Sequence, residues 1–538
     1  MRRWNGWGDD ATDYPLSTVA RRFLKQTPGP ARPLPDADLD NVLASIPASR
    51  LPSHPDIHTD AECRLRHARG QSLPDWLALR SGEPGAVPDG VALPEDSAAV
   101  RRILDWALAH DVIVIPWGGG TSVTGHVNVP QSNLPVLSLS LEHMSRLLAL
   151  DPVSRLARFQ AGTPGPQVES QLRAHDFMLG HFPQSFEFST LGGWVVTRSS
   201  GQQSMRYGRI EQLFAGGRME CPQGSLELPT FPASSAGPDL RELVMGSEGR
   251  MGIMTEVDVR ISPVPERESF QVWFFPDWTR AMAAVRAAAQ ARIPLSMLRL
   301  SNTTETRAQL SLAGGEQGAL KWLQQGLRLR GAGERKCMLT AGITGDRRQW
   351  QQSRKQLGRL LRGYGGVGTG ALLGRHWARQ RFHGPYLRNS LWSAGYAVDT
   401  METAVDWPRV DDTMQAMENA GRNTLEADGT RGLVFSHLSH IYAQGSSIYC
   451  TCVFPVAENY PATLTRWRKL KNAVSEAIVS HGGTISHQHG VGVDHAPWLL
   501  REKGPLGIAA LEDICRHFDP KGLLNPGKML PQQVTDKS

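Results

Sequence analysis

The chain has 538 residues, of which 40% are hydrophobic and 20% charged, and its formal net charge is +6. This length predicts more than one domain with a large apolar core. The charge excess is mild, and without a dense basic tail it argues against nucleic-acid binding and suits a small anionic molecule. No apolar run is long enough to span a bilayer, the start MRRWNGWGDD lacks a signal-peptide core, and the final DKS is not an S-K-L address. We therefore expect a cytoplasmic location.

The predicted elements become clear from residue 94 onward. Residues 1–92 are rich in Pro, Asp and Arg, and we expect an extension packed on the body of the protein. Asp96 is predicted to cap a helix with apolar residues at helical spacing. The strand VIVI follows, then the loop PWGGGTSVTGH (116–126), then the strand LPVLSLS.

Three glycine-rich blocks mark the first half of the chain: 116–126, 188–208 and 244–266. Each has Ser or Thr beside Gly, so that backbone N–H groups and hydroxyls can surround a pyrophosphate. The alternative for any one block is an unrelated turn. A nicotinamide-binding fold of the Rossmann type would begin a helix directly after its glycines. Here VNVP follows the first block, which disfavours that fold.

The second half alternates strands with helices. VWFF (272–275) is predicted to be a strand, and Asp277 caps the amphipathic helix 278–292. The pattern returns in CMLTAGITG and in the basic helix from Asp346 to Arg362. This alternation predicts a separate α+β domain at 270–510. The basic helix is compatible with contact to an anionic membrane, and a solvated face is the alternative.

PWGGGTSVTG, EFSTLGGWVVTRSSG, MGSEGRMGI and SHQHGVG together resemble the motifs of the alkyldihydroxyacetone-phosphate synthase family, within the vanillyl-alcohol-oxidase superfamily of flavoproteins. The likeness extends from RRWNGWGDD to FDPKGLLNPGKML. It implies an α+β fold with an FAD-binding domain of two α+β subdomains at 93–269. An α+β cap domain at 270–510 then covers the flavin, and a C-terminal segment, 511–538, returns to the FAD-binding domain.

The resemblance also implies which residues hold FAD, without a covalent bond. The first loop would cradle the pyrophosphate, two stretches would line the flavin, and a third glycine segment would complete the site. These residues are Pro116, Trp117, Gly118, Gly119, Gly120, Thr121 and Ser122; Gln184, Ser185, Phe186, Glu187, Phe188, Ser189 and Thr190; Thr197, Arg198, Ser199 and Ser200; and Glu248, Gly249, Arg250, Met251, Gly252, Ile253 and Met254.

Tyr449, in IYCTCVF, matches the tyrosine that the family uses as acid and base. On sequence alone, a tyrosine on a strand more often belongs to a core. A phenol with an ordinary pKa near 10 takes a carbon-bound proton only if its anion is stabilised. His487 and His489 of SHQHGVG would face the same way on an extended segment and could stabilise that anion. Gln488 stands where the family has the middle one of three histidines.

Arg388 aligns with the arginine that holds the substrate phosphate in this family, although its forked donors suit a carboxylate equally. His437 and His440 could be metal ligands on a helix or substrate contacts in a loop. Related metal-dependent 2-hydroxy-acid dehydrogenases have a glutamate where this chain has Gln488, so we expect no metal.

Two reactions follow from the resemblance. In the first, Tyr449 removes a proton from the carbon that bears an acyl ester, and a fatty alcohol replaces the departing acid, with no net redox change. Arg388 holds the phosphate, and His487 and His489 steer protons. In the alternative, Arg388 holds the carboxylate of a 2-hydroxy acid such as D-lactate or glycolate, which a histidine deprotonates as the flavin accepts hydride. A flavin-binding protein without activity is a third hypothesis, and family habit suggests a homodimer.

Overall fold

The computed structural model describes residues 2–312 and 317–530. The N-terminal region forms a shell of short elements, and each of its helices begins after a side-chain cap, such as Ser72 before α4. Trp76 is 1% exposed and belongs to the apolar core of the second half of the chain. The elements are α1 Thr18–Gln26, α2 Leu39–Ser45, β1 Ile57–His58, α3 Ala61–Arg66 and α4 Leu73–Ser81.

A small, mostly parallel sheet comes next, in the strand order β1-β2-β4-β3. As predicted, Asp96 caps helix α5 by accepting a hydrogen bond from the N–H of Ala99. Strand β3 then leads into the first glycine loop, and no helix follows before β4. The elements are β2 Gly90–Ala92, α5 Ser97–Ala109, β3 Ile113–Trp117 and β4 Val136–Ser140.

A second, antiparallel sheet completes this half in the order β5-β6-β10-β8-β9, beside the two-stranded pair β7 and β11. The second glycine block forms the short helix α7 and the turns around it. The elements are β5 Leu147–Asp151, β6 Leu156–Gln160, α6 Gly165–Arg173, β7 Phe177–Met178, α7 Leu191–Val196, α8 Ser204–Tyr207, α9 Ile210–Leu213, β8 Phe214–Cys221, β9 Gly224–Leu228, α10 Leu240–Val244, β10 Ile253–Arg260 and β11 Ser262–Pro263.

The second half is built on a seven-stranded antiparallel sheet in the order β15-β12-β14-β13-β17-β18-β16. Asp277 and Asp346 cap helices α11 and α14, as the sequence predicts. The elements are β12 Arg267–Phe275, α11 Trp278–Gln290, β13 Met297–Ser301, α12 Thr303–Leu312, α13 Gln317–Leu329, β14 Cys337–Gly345, α14 Arg347–Gly363, β15 Val367–Gly368, α15 Leu372–Gln380, α16 Gly384–Trp392, β16 Tyr396–Asp406, a 3-10 turn Trp407–Arg409, α17 Val410–Ala427, β17 Leu433–Leu438, β18 Gly445–Pro455 and α18 Tyr460–Ser480.

The C-terminal segment packs against the first half of the chain. Helix α19, Ala496–Phe518, is kinked at Gly504. After it, the N–H of Asn525 donates to the carbonyl of Val114 and the N–H of Val114 to that of Leu523, which extends the edge of β3. Leu524 and Met529 join the apolar core of the two smaller sheets. Residues 531–538 of the expected segment lie outside the described residues.

Two of the three expected domain limits fall inside regular elements: 269/270 lies within β12 and 510/511 lies within α19, whereas 92/93 coincides with the end of β2. In the described part of the chain, no helix is long and apolar enough to cross a membrane. Arg354, Lys355 and Arg359 on the basic helix α14 are exposed, and the membrane contact considered for this helix stays a prediction.

Candidate functional site

A cavity of about 440 Å³ lies between the glycine loops and one face of the seven-stranded sheet. The loops of the first half form one wall, and residues of β13, β16, β17 and β18 form part of the opposite wall. The third glycine segment and the C-terminal Asn525 also line the cavity. Two halves of the chain therefore meet at a single concave site, which is the usual location for a cofactor and substrate.

The first loop is shaped to present its backbone. No other described residue accepts a hydrogen bond from the N–H groups of residues 118–122, so these donors are free for a ligand. The glycines are required by close contacts as well as by conformation. A Cβ on Gly118 would lie 2.4 Å from Thr190 Oγ1, and one on Gly119 would lie 1.7 Å from the carbonyl oxygen of Phe188. Gly120 has a φ of +61°. This loop and the second glycine block thus form one cradle.

Gly119→Ala is expected to destabilise the protein by about 3 kcal/mol or more, because a methyl group cannot share the space of a backbone carbonyl. The two loops must separate, so bound flavin should be lost as well. Thermal unfolding and the flavin content of the purified protein measure both effects. Gly326→Ala on helix α13 is the control, because nothing lies within 4 Å of its added Cβ. Equal flavin content and stability in both variants would contradict the close contact.

Most of the expected FAD residues line the cavity. All of 116–122 do, together with Gln184, Ser185, Ser189, Thr190, Thr197, Ser199, Ser200, Glu248, Gly249, Gly252, Ile253 and Met254. Phe186, Glu187, Phe188, Arg198, Arg250 and Met251 are not part of its wall. Arg250 instead donates to the carbonyl of Leu524, and Arg198 pairs with Glu242 at 2.9 Å. Arg198 and Arg250 therefore hold neighbouring segments together instead of facing the cavity.

Glu248 joins the third glycine segment to the SHQHGVG loop. Its carboxylate accepts hydrogen bonds from the N–H groups of Val491 (2.6 Å) and Gly492 (2.8 Å). Nε2 of His126 lies 3.0 Å from the same carboxylate, and Nδ1 of His126 lies 2.7 Å from Ser122 Oγ. The ring of His126 is therefore held between Ser122 and Glu248, although Nε2 makes no well-aligned hydrogen bond within the described residues.

The register of the large sheet explains how its catalytic candidates come together. His437 on β17 is directly opposite Tyr449 on β18, which is opposite Glu402 on β16. Directly opposed residues of antiparallel strands point to the same face. The phenol of Tyr449 donates to Thr400 Oγ1 at 3.1 Å, and the side chain is 7% exposed. Burial raises the pKa of Tyr449 above its ordinary value, and Glu402 adds to the shift.

The two histidines of the SHQHGVG loop have different surroundings. His489 and Gln488 line the cavity, and their N–H groups both donate to Oε1 of Glu402, at 2.7 and 2.6 Å. His487 is not in the cavity wall. Its Nε2 lies 2.7 Å from a guanidinium nitrogen of Arg209 and 2.6 Å from the hydroxyl of Tyr442. Burial lowers the pKa of both histidines, so both are neutral near pH 7.

Arg388, on helix α16, reaches the cavity from the side. Its guanidinium lies 4.4 Å above the ring of Trp76 and donates through Nη1 to the carbonyl of Gln71 at 2.6 Å. Burial lowers the pKa of Arg388 to about 10, so the group remains charged near neutrality. Its remaining donors suit an anionic group in the cavity.

The sequence analysis did not identify several polar residues of the wall, namely Arg299, Glu305, Asp399, Thr400, Thr451 and Asn525. Arg299 alternates with apolar residues in MLRLS, a pattern that places it on the polar face of a strand. Asn525 has a φ of +40° and precedes a proline, which marks a special backbone position. Nothing local in the sequence indicates Glu305 or Asp399.

Asp494, just after the SHQHGVG loop, is expected to make stability depend on pH. Burial raises its pKa to about 7, and Oδ2 has no hydrogen-bond partner in the described part of the chain. Because the unfolded carboxyl titrates near ~3.9, ionisation opposes folding increasingly as the pH rises from about 4 to about 7. Asp494→Asn should therefore stabilise the protein by about 2–4 kcal/mol at pH 8, and the gain should shrink toward pH 4.

Thermal unfolding across this pH range checks the prediction. Asp513→Asn is the matched control, because the side chain of Asp513 is 72% exposed and its pair with Arg516 lies on the surface. A gain for Asp494→Asn that is equal at both ends of the pH range would contradict the account.

In the described ranges, no group of three or more His, Cys, Asp or Glu residues could hold a metal ion. His437 lies on β17, and His440 lies in the bend that follows this strand, so neither is on a helix. His437 lines the cavity, whereas Nε2 of His440 lies 3.2 Å from the carbonyl oxygen of Gly201 outside it.

Comparisons with known proteins agree with this architecture. Residues 88–227 match the family model "FAD binding domain", and residues 264–529 match "FAD linked oxidases, C-terminal domain". The chain is therefore an FAD-dependent enzyme with an α+β fold.

More narrowly, an alkyldihydroxyacetonephosphate synthase from Caenorhabditis elegans is 30% identical over 88% of this chain and 81% of its own length. The synthase from Trypanosoma brucei brucei is 29% identical over 99% of this chain and 93% of its own. A solved structure of an alkyldihydroxyacetonephosphate synthase superposes with a TM-score of 0.84 at 25% identity, and 98% of each chain is covered. The chain belongs to the alkyldihydroxyacetonephosphate synthase family.

Proposed function

We propose that the cradle of residues 118–122, with the Glu248 segment opposite, holds FAD without a covalent bond. The free N–H groups of the first loop suit a pyrophosphate, and Ser200 Oγ lies buried at the cavity without a partner among the described residues. His126 supports a non-covalent site, because both of its ring nitrogens already contact Ser122 and Glu248.

We further propose that the enzyme exchanges the acyl group of an acyl-dihydroxyacetone phosphate for the alkyl group of a fatty alcohol, which yields an ether-lipid precursor. The observation that carries this proposal is the presence of Tyr449 and Arg388 in the same cavity as the glycine loops. A phosphate held by Arg388 would place the adjoining carbon skeleton between the loops and the sheet.

In this mechanism, Tyr449 takes the proton from the carbon that bears the ester. Burial raises the pKa of Tyr449, so the phenol is protonated at rest and must first pass its own proton to a neighbouring base such as the neutral His489. The charge of Arg388 lowers the energy of the resulting phenolate, which then takes the proton from carbon. When bound, FAD supplies an electron-accepting ring that activates the carbon skeleton for the exchange. Glu402 fixes the backbone at Gln488 and His489, so that His489 stays beside Tyr449, with 5.7 Å between the ring centroids.

The alternative reaction is the oxidation of a 2-hydroxy acid. The observation that favours it is a neutral histidine, His489, in one cavity with Arg388, because these groups could respectively deprotonate a hydroxyl and hold a carboxylate. The amide side chain of Gln488 does not titrate, so Gln488 cannot act as an acid or a base in either reaction.

Anaerobic absorption spectra separate the two reactions. If the exchange proposal is right, D-lactate and glycolate should not leave the flavin of the purified protein reduced. After a turnover with acyl-dihydroxyacetone phosphate and a fatty alcohol, the flavin should show its oxidised spectrum again. Stoichiometric, persistent bleaching by a 2-hydroxy acid would establish the alternative. A protein that cannot be reconstituted with FAD would contradict both.

A further inference from the structure

His437 lies in the cavity wall, but the exchange mechanism described above gives it no role. Its ring is stacked on that of Tyr449, with centroids 4.9 Å apart and planes inclined by 26°. Nδ1 lies 3.2 Å from Oε1 of Glu305 and 3.2 Å from a guanidinium nitrogen of Arg299. Nε2 has no partner among the described residues and is not buried from the cavity, since His437 forms part of the wall.

The carboxylate of Glu305, beside His437, is held in place by its neighbours. It is 3% exposed, and its Oε1 also accepts hydrogen bonds from Arg299 at 2.6 Å and from Gln309 at 2.9 Å. Although burial opposes ionisation, the Arg299 charge and the His437 ring lower the pKa of Glu305 far below its ordinary value. The carboxylate is therefore ionised near neutral pH.

Two tautomers of His437 are compatible with its contacts. Oε1 of Glu305 lies 2.6 Å from the guanidinium nitrogen of Arg299, and Nδ1 lies 3.2 Å from each of these two atoms. The guanidinium nitrogen has two N–H bonds and can donate to both neighbours, so Nδ1 can accept a hydrogen bond from Arg299. When the proton is on Nδ1 instead, Nδ1–H faces the Glu305 carboxylate, and the lone pair of Nε2 is open to the cavity. A proton acceptor in the cavity requires this second tautomer.

A carboxylate-oriented imidazole with a free Nε2 is the arrangement of a general base. Burial, followed by the Arg299 charge, lowers the pKa of His437, so the ring is neutral at rest and ready to accept a proton. Once protonated, it would be stabilised by Glu305. Tyr449 cannot supply this second function while it holds the proton from carbon.

We propose that His437, oriented by Glu305 and Arg299, is a catalytic residue that accepts the hydroxyl proton of the incoming alcohol. The inference rests on the proposed exchange reaction. In the net exchange, the carbon–oxygen bond to the acyl group breaks and its electron pair leaves on the fatty carboxylate. The alcohol oxygen forms the new carbon–oxygen bond, and its proton passes to Nε2 and then to the carboxylate or to water. Tyr449 accepts and returns only the carbon-bound proton.

The test separates the two halves of the reaction in the FAD-loaded enzyme. The first is release of labelled fatty acid from acyl-dihydroxyacetone phosphate without alcohol, with exchange of the carbon-bound hydrogen in D₂O. The second is ether formation from a fatty alcohol. His437→Phe keeps a flat ring against Tyr449 but cannot accept a proton. We expect it to change acid release by less than about threefold and to slow ether formation by roughly 10²–10³-fold.

Two further measurements distinguish proton transfer from positioning. The deficit of His437→Phe should shrink with a more acidic, fluorinated alcohol, and ether formation by the wild type should decline at acidic pH while that of the variant does not. Glu305→Gln, which keeps an oxygen acceptor for Arg299, should slow ether formation by roughly tenfold or more without changing acid release. His481→Phe, the same substitution at an exposed histidine, is the control.

Equal losses in both halves for His437→Phe would show that the ring only positions Tyr449 and would overturn the assignment, as would unchanged ether formation. A wild-type enzyme that performs neither half-reaction would overturn the exchange reaction itself and, with it, the role of His437. Flavin content and thermal unfolding, measured for each variant, show whether a loss comes from the fold.

Discussion

Replacing Tyr449 with phenylalanine is expected to slow the exchange of acyl for alkyl by roughly 10³-fold while FAD stays bound. The phenol is stacked on the ring of His437 and meets the ring of His489 edge to face, and in the proposed reaction it takes the proton from carbon. The substitution removes one hydrogen bond, to Thr400 Oγ1, which contributes about 1 kcal/mol to folding. The fold should therefore survive the loss of activity. The exchange of labelled fatty alcohol, with flavin absorbance measured in parallel, checks this.

Tyr396→Phe is the matched control for Tyr449→Phe. Tyr396 is also a buried tyrosine of the large sheet, and its hydroxyl donates to the carbonyl of Gly29 at 2.6 Å, away from the cavity wall. It should lose comparable stability and keep its exchange rate. An unaffected exchange rate in Tyr449→Phe would show that the assigned base is wrong.

Arg388→Met is expected to lower kcat/KM for the phosphate-bearing substrate by roughly 10²–10⁴-fold, because two charge-assisted hydrogen bonds to an anion are lost at about 1.5–3 kcal/mol each. The loss should appear with this substrate rather than with the alcohol, whose recognition needs no cation. Arg388→Lys keeps the charge but not the forked geometry or the flat stacking on Trp76, so it should fall between Met and the wild type. Steady-state kinetics with each substrate varied in turn measures this pattern.

Arg80→Lys is the control for Arg388→Lys, because Arg80 lies 4.9 Å from the ring of the same Trp76 but is not part of the cavity wall. It should leave the kinetics unchanged even if stability decreases through its pair with Asp36. If Arg388→Met raised the KM of the alcohol as strongly as that of the phosphate, the anion-binding role would be wrong.

The local features of the fold follow from the sequence. The side chains of Asp96, Asp277 and Asp346 each mark the start of a helix, because each accepts a backbone N–H that the first turn leaves without a partner. The glycine loop at 118–120 is likewise visible, since three successive residues without Cβ indicate a close approach of backbone. What they approach, Phe188 and Thr190, is distant in the chain.

The site itself depends on contacts that local patterns cannot show. Spacing alone would place His487 and His489 on one side of an extended segment. The path of the segment is instead set by two hydrogen bonds from its N–H groups to Glu402, which lies more than 80 residues earlier in the chain. The segment then turns at Gly490, whose φ is +78°. His489 consequently reaches the cavity, and His487 packs behind it against Arg209. His437 and Glu305 meet for a similar reason, through the pairing of β13 with β17.

The most direct test of the central claim is the exchange assay on the purified flavoprotein without oxygen or another electron acceptor. Incubated with acyl-dihydroxyacetone phosphate and a labelled fatty alcohol, the enzyme should release one fatty acid for each labelled ether formed, over many turnovers, and its flavin should be oxidised at the end. Absence of labelled ether, together with flavin reduction by a 2-hydroxy acid, would contradict the account.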